Sequence, residues 1–136
     1  MESIKIQKAH WEQMRSHVNK IAPIEACGLV AGINNISSEV FPITNSLNST
    51  TRYRMAEGEM VRTIHTILEK GWDILAIYHS HPQSPAVPSQ TDLSEATFLE
   101  SVQLISGQQE GEWHLRAYRY YPNNLPEEIN VSIIEM

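Results

Sequence analysis

Apolar residues along the first part of the chain follow two different spacings, and each spacing predicts a different element. Ile4 and Ile6 alternate with polar residues, as in a short strand. The next apolar positions recur at intervals of three or four: Trp11, Met14, Val18 and Ile21. This second spacing predicts an amphipathic helix that ends before Pro23.

The middle of the chain predicts a hairpin and then a second helix. Cys27–Ile33 is an apolar run typical of a buried strand, and the Asn-Asn pair at 34–35 favours a tight turn into a strand over residues 38–43. A polar loop over residues 44–51 and an extended segment follow. Helical spacing then returns at Met60, Val61, Ile64, Ile67 and Leu68. Gly71 is expected to end this helix.

The last half of the chain is richer in strands. A run over residues 72–78 predicts a buried strand leading to His79, and Ser89 precedes a possible helix over residues 93–99. Further strands are expected near residues 102–105, 113–118 and 129–133, with a turn at 107–111. Strands therefore outnumber helices. We expect a single α/β domain over residues 1–136, in which helices flank a curved mixed sheet.

Composition narrows the functional classes. The chain has 136 residues, 41% of them hydrophobic, and a net charge of −6 with scattered basic residues. This pattern does not fit nucleic-acid binding, and no segment has the length and apolarity of a membrane span. Cys27 is the single cysteine, which fits a reducing compartment and a small buried hydrophobe. We expect a cytoplasmic protein.

The pair His79 and His81 stands at the end of a predicted strand. Residues two apart on a strand face the same side, so the two imidazoles are expected to lie together, and Pro82 ends the strand. Zinc accepts histidine nitrogen and carboxylate oxygen, and Asp92 is the candidate third ligand. A histidine pair alone is weak support for a metal site. Ser89 and Asp92 also fit a helix-capping pattern, which is compatible with metal binding.

A larger pattern joins these residues. His79-Ser80-His81-Pro82, six further residues and then Ser89-Gln90-Thr91-Asp92 form H-x-H-P-x6-S-x-x-D, and a Glu-x-Cys-Gly segment begins upstream at Glu25. In this order they resemble the JAMM motif of the MPN-domain metallopeptidases, in particular the compact stand-alone members from prokaryotes. The resemblance extends over nearly the whole chain and implies the same α/β fold.

The resemblance also implies roles for individual residues. His79, His81 and Asp92 would hold one Zn²⁺ per chain. Glu25 would act as general base, and Ser89 would donate a hydrogen bond to the oxyanion. The implied substrate is a peptide or isopeptide bond that follows the Gly-rich C-terminal tail of a ubiquitin-like or sulfur-carrier protein.

Two alternatives fit the sequence less well. A non-catalytic MPN-like module would use the same surface to bind a partner, but such members lose ligands, and the full set is present here. Another hydrolase type with an H-x-H motif expects acid and histidine directly after the pair, where this chain has Pro82 and Gln83. The remaining histidines lack ligand spacing and are expected at the surface or in packing: His10, His17, His65 and His114. A second zinc site is not expected.

Overall fold

The computed structural model describes residues 2–136 of the chain, which form seven strands and three helices. In chain order they are β1 Ser3–Gln7, α1 Lys8–Ile21, β2 Cys27–Ile33, β3 Ile36–Ile43, α2 Glu57–Glu69, β4 Asp73–His81, α3 Gln90–Glu95, β5 Val102–Gln109, β6 Glu112–Arg119 and β7 Glu127–Ile134. Over these residues, no helix has both the length and the apolar character needed to span a membrane.

The strands form one mixed sheet in the order β1-β3-β2-β4-β5-β6-β7. The β1–β3, β1–β7 and β4–β5 pairs are parallel, and the other neighbours are antiparallel. Because β1 also pairs with β7 from Ser3 to Gln7, the sheet closes into a barrel. The predicted mixed, curved sheet is confirmed, and it curves far enough for its two edge strands to pair.

The central strand β2 is buried on both of its faces. Val30 packs in the cluster that contains Met14 and Val18 of α1, whereas Leu29 packs in the cluster that contains Ile67 of α2. Burial by a helix on each side explains why this strand is a continuous apolar run rather than an alternating one. The helices therefore flank the sheet as predicted. The neighbouring strand β4 ends with its two histidines, and both of them are buried.

Two predicted chain reversals are also confirmed, the turn after β2 and the end of α2, and each contains residues with positive φ. Asn34 and Asn35 have φ values of 56° and 62° in the β2–β3 hairpin, a conformation that asparagine tolerates. Gly71 has a φ of 73° just after α2. A positive φ at this position is favourable for glycine and ends the helix.

The helix after Ser89 is shorter than predicted. It spans Gln90–Glu95 instead of continuing over residues 93–99. Leu93 packs beside the Ala86 and Ile105 cluster, whereas Phe98 packs against the separate cluster on the α2 side. The chain leaves the helix between these residues, and Phe98 reaches its position with a φ of 52°.

Strand β5 is longer than predicted, and the following turn is smaller. The strand continues through Gln109, so the turn lies at Glu110 and Gly111 rather than over residues 107–111. Ser106 pairs with Ser80 of β4 and Leu115 of β6. Pairing on both sides thus extends the strand through polar residues that an apolar pattern does not mark.

Candidate metal centre and active site

Three side chains that can ligate a metal converge at the end of β4. His79, His81 and Asp92 are buried, and one potential ligand atom from each lies within 4.8 Å of the others. Nε2 of His79 lies 3.2 Å from Asp92 Oδ1, and Nε2 of His81 lies 3.0 Å from Asp92 Oδ2. Within residues 2–136 this is the one such group. The structure therefore brings together the three residues predicted as ligands.

The hydrogen bond on the far side of His81 indicates which nitrogen faces the group. Its Nδ1 lies 3.0 Å from the carbonyl oxygen of Pro85, an acceptor, so Nδ1 carries a hydrogen and donates it. In the neutral ring, Nε2 then points a lone pair at the carboxylate of Asp92 and at Nε2 of His79, which is 3.2 Å away. Facing lone pairs repel unless a proton or a metal cation lies between them. This donor set fits a metal ion.

The ionisation of the two histidines is consistent with that geometry. Burial lowers the pKa of His79, although Asp92 opposes the shift. For His81, burial also favours the neutral ring, but hydrogen bonds to Asp92 and Pro85 outweigh it and raise the pKa. A proton on His81 thus supplies the positive charge that balances the carboxylate of Asp92. A bound cation would take its place, because metal ligands must be deprotonated.

Asp92 is fixed by the first turn of α3. Its backbone N–H donates to Ser89 Oγ at 3.0 Å, and the Ser89 N–H donates to Asp92 Oδ2 at 2.9 Å, which completes a capping box. Burial would raise the pKa of Asp92, but its hydrogen bonds with His79 and His81 hold it well below the usual range. Asp92 is therefore an ionised carboxylate at neutral pH. The predicted cap is present, and the carboxylate of Asp92 lies beside both histidines.

Glu25 is the second buried carboxylate, and its environment is the opposite. Only 4% of the residue is exposed, and its Oε1 has no hydrogen-bond partner in residues 2–136. Burial raises its pKa to about 8, partly offset by His81. Ser80, between the two histidines, fixes this segment because its Oγ accepts from the N–H of Ala26 at 2.8 Å. The backbone of Glu25 is thereby tied to β4.

A single pocket joins Glu25 to the metal-ligating group. It has a volume of about 330 Å³, and its lining includes Glu25, His81, Ser89, Thr51 and Gln83. A larger cavity of about 610 Å³ lies elsewhere, beside Phe98, Leu99 and Arg119, but the predicted chemical groups do not line it. Chemistry rather than cavity size therefore distinguishes the candidate site.

The loop between the second histidine and Ser89 is held by three successive carbonyl groups. Ser84 O accepts from the N–H of Gln108 at 2.9 Å, Pro85 O accepts from His81, and Ala86 O accepts from Tyr118 Oη at 2.6 Å. At Gly107 a side chain would collide with the backbone of Ala86, so glycine allows the loop to lie directly on β5. The loop is anchored by these contacts in addition to its prolines.

Two residues beside the site were missed by the sequence analysis. The ring of Tyr53 stacks on His79, with 4.7 Å between centroids and 22° between planes. Asn45 is buried, and its Nδ2 donates to the carbonyl oxygens of Glu25 and Arg52 at 3.0 and 2.9 Å. Both residues lie in segments outside the named strands and helices, where periodicity gives no signal.

Two of the other histidines lie outside the site, whereas Cys27 pairs with His79 across β2 and β4. His10 contacts Ser37 Oγ and His17 contacts Tyr78 Oη, each at 2.7 Å, as packing residues do. Cys27 is fully buried, and burial raises the pKa of its thiol to about 12. The burial of Cys27 confirms its interpretation as a small buried hydrophobe, and the raised pKa favours the protonated thiol at neutral pH.

Comparison with known proteins agrees with this geometry. Residues 7–121 match the family of prokaryotic homologs of the JAB domain. The chain is 31% identical over 125 residues to the CysO-cysteine peptidase of Mycobacterium tuberculosis. The aligned region covers 90% of this chain and 85% of that protein. The chain is 37% identical over 86 residues to a probable TtuB-protein conjugate cleaving protease of Thermus thermophilus, covering 62% and 57%.

Solved structures show the same fold. A protein from Desulfitobacterium hafniense superposes with a TM-score of 0.87 at 25% identity, covering 98% of this chain and 94% of that one. A JAB1/MPN domain protein from Archaeoglobus fulgidus superposes with a TM-score of 0.65 at 18% identity, covering 98% and 100%. The molecule is thus a JAB/MPN-type α/β protein with three converging side chains of the types that ligate metals. The chain belongs to the family of prokaryotic JAB-domain homologs.

Proposed function

We propose that this protein is a zinc-dependent hydrolase of the JAMM type. It cleaves a peptide or isopeptide bond that follows the C-terminal tail of a ubiquitin-like or sulfur-carrier protein. The observation that carries the proposal is the convergence of His79, His81 and Asp92, together with a pocket that both His81 and Glu25 line. The relatives named for CysO-cysteine and for TtuB-protein conjugates support the substrate class.

The metal part of the proposal assigns one zinc ion per chain to the two histidines and Asp92. Three protein ligands are typical of a catalytic zinc site, which keeps a fourth position open. When bound there, zinc would supply Lewis-acid chemistry, lowering the pKa of water and polarising a carbonyl group. The contacts of His81 with Pro85 and of Asp92 with Ser89 support the assignment, because ligands are usually oriented by such hydrogen bonds.

Glu25 acts as the general base in this account. It lines the same pocket as His81, and it is placed by the Ala26–Ser80 and Asn45 hydrogen bonds rather than by the ligand cluster. Its raised pKa of about 8 applies to the site without a cation. A nearby positive charge favours the ionised form, which can take a proton from water and later deliver it to the leaving amine.

Ser89 can serve two roles with different parts of one hydroxyl group. Its oxygen accepts the cap hydrogen bond from Asp92, which leaves the O–H hydrogen free to be donated. Ser89 also lines the pocket. We propose that this hydrogen is donated to the oxyanion that forms as the amide carbonyl becomes tetrahedral.

Glycine in the substrate tail fits the dimensions of the pocket. A pocket of about 330 Å³ lies near the lower end of the range for ligand sites. An extended tail must bring its backbone close to the ligand group, and glycine allows that approach without a side-chain clash. Recognition is left mainly to the folded body of the carrier. A cytoplasmic location and a single domain over residues 1–136 also remain proposals, the latter supported by the β1–β7 pairing.

The test combines metal, chemistry and substrate. Zinc content of the purified protein is measured, and the protein is incubated with a ubiquitin-like carrier bearing a C-terminal extension. Matched substrates replace the tail glycines by valine or offer the tail as a free peptide. We expect about one zinc per chain, mass-spectrometric release of the extension, and much lower kcat/KM on both matched substrates.

Two other outcomes would point elsewhere. Equal rates on the three substrates would indicate a general peptidase. Carrier binding without cleavage, at full zinc content, would instead support the non-catalytic module.

A further inference from the structure

The two histidines of the metal-ligating group are supported in different ways. His81 donates from Nδ1 to Pro85 O, which fixes its ring by a hydrogen bond opposite Nε2. Nδ1 of His79 is buried and has no hydrogen-bond partner among residues 2–136. The ring of His79 is instead covered by Tyr53, nearly parallel to it at 4.7 Å. Tyr53 thus contacts the face of the imidazole, and the hydrogen bond that a ligating histidine usually makes from its second ring nitrogen is not found within residues 2–136.

Tyr53 lies in an irregular segment, yet its backbone is held on both sides. Asn45 Nδ2 donates to Arg52 O at 2.9 Å, and Asn45 Oδ1 accepts from the N–H of Arg54 at 3.1 Å. The bridge between Asn45 and Met55 adds a further attachment. Because Asn45 also donates to Glu25 O, one buried amide connects the segment of the base with the segment of Tyr53.

We propose that Tyr53 is a positioning residue for His79, orienting its imidazole toward the metal by ring stacking, and that Asn45 holds Tyr53 in place. This inference rests on the proposed role of His79 as a metal ligand. A histidine ring without a hydrogen bond at Nδ1 can turn about its Cβ–Cγ bond. A flat aromatic surface against one face opposes that rotation, because turning the ring would bring its edge into the tyrosine.

The contribution belongs to the aromatic face rather than to the phenol group. Tyr53 packs with the apolar cluster that includes Ile77, on the α2 side of the sheet. An aliphatic residue can fill part of that volume but offers no planar surface to the imidazole. Loss of a group that orients a metal ligand typically weakens metal affinity by about 10–100-fold.

The experiment compares Tyr53→Phe, Tyr53→Leu and the control Tyr121→Leu, all in the full-length chain. Tyr121 is 43% exposed and is used as an aromatic residue outside the site. The zinc dissociation constant is measured by competition with a chromophoric chelator. The visible absorption of the Co²⁺-substituted protein reports ligand geometry independently of turnover. The thermal midpoint of the metal-free protein reports folding.

We expect zinc affinity within about threefold of wild type for Tyr53→Phe and Tyr121→Leu, and a loss of at least about tenfold with altered Co²⁺ bands for Tyr53→Leu. Wild-type affinity and spectrum in a folded Tyr53→Leu protein would overturn the inference. So would an equal loss in Tyr53→Phe, since the hydroxyl group would then be responsible.

A second variant covers the case in which Tyr53→Leu does not fold. Tyr53→Trp retains an aromatic face and is expected to retain zinc binding and a tetrahedral Co²⁺ spectrum, whereas Tyr53→Met is expected to lose affinity. Equal affinities for Trp and Met at this position would also overturn the inference. Failure of the wild-type protein to bind zinc would instead contradict the proposed function, so the two failures are distinguishable.

Discussion

Glu25 and Asp92 are both buried carboxylates near His81, yet their surroundings shift their pKa values in opposite directions. Hydrogen bonds with His79 and His81 overcome burial at Asp92 and keep its pKa well below the usual range. Oε1 of Glu25 has no hydrogen-bond partner among the residues that the structure describes, and burial raises the pKa of Glu25 to about 8. Pairs of acids separated in this way often divide two chemical roles. Here the difference supports Asp92 as the ligand and Glu25 as the proton carrier.

The largest effect is expected from removing the ionised member of the pair. Asp92→Asn keeps the side-chain shape but replaces a charged ligand with a neutral amide. Hydrolysis of a carrier-linked substrate should fall to background, and added zinc should not restore it. Residual turnover within about tenfold of wild type, measured by product mass, would contradict the ligand role.

Glu25→Gln should lower turnover with a different pattern. An amide cannot accept the proton from water, so we expect kcat to fall by about 10²–10⁴-fold. KM should change little because, under the proposed function, the folded body of the carrier provides most of the recognition. Steady-state kinetics on the carrier-linked substrate provide the measurement, and an unchanged kcat would remove Glu25 from the chemistry.

Ser89→Asn separates capping from catalysis. Asparagine is also a good N-cap residue, so stability should remain within about 1 kcal/mol of wild type. Loss of the hydroxyl donor should nevertheless slow turnover by at least about tenfold. Ser89→Ala is the matched variant that loses both functions. A stable Ser89→Asn enzyme with full activity would leave only the cap.

The smallest effect concerns stability and pH in the chelator-treated protein. Below pH 4.5, Glu25 is largely protonated in both folded and unfolded chains. As pH rises toward 8, the unfolded chain releases this proton while the folded chain keeps it, so folding becomes less favourable. Glu25→Gln should therefore gain stability over wild type across this window, by at least about 1 kcal/mol, because one unit of pKa shift corresponds to about 1.4 kcal/mol. Urea unfolding at several pH values measures the gap, and a gap independent of pH would contradict the raised pKa.

Much of this architecture could be predicted because it depends on local patterns. The bounds predicted for β2 are those observed, since its residues form a continuous apolar run between turn signals. The end of α3 depends on Leu93 and Phe98 entering different clusters, which spacing cannot show. Closure of the barrel depends on pairing between the two ends of the chain. Such long-range contacts leave little trace in a local pattern.

The candidate site divides in the same way. Its motif residues could be identified because their types and spacing carry the chemistry, and the structure brings the three proposed ligands within 4.8 Å. Tyr53 and Asn45 could not be identified, because an isolated tyrosine or asparagine in an irregular segment is common. Their positions become meaningful only through the ring contact with His79 and the hydrogen bond to Glu25 O.

Zinc content of Glu25→Gln and Asp92→Asn, purified in parallel and measured by elemental analysis, tests the division between the two carboxylates most directly. Each change replaces one carboxylate oxygen by an amide nitrogen, so the variants differ mainly in position. We predict about one zinc per chain in Glu25→Gln and nearly none in Asp92→Asn. Equal zinc content in the two variants, or metal lost from Glu25→Gln and kept by Asp92→Asn, would contradict the account.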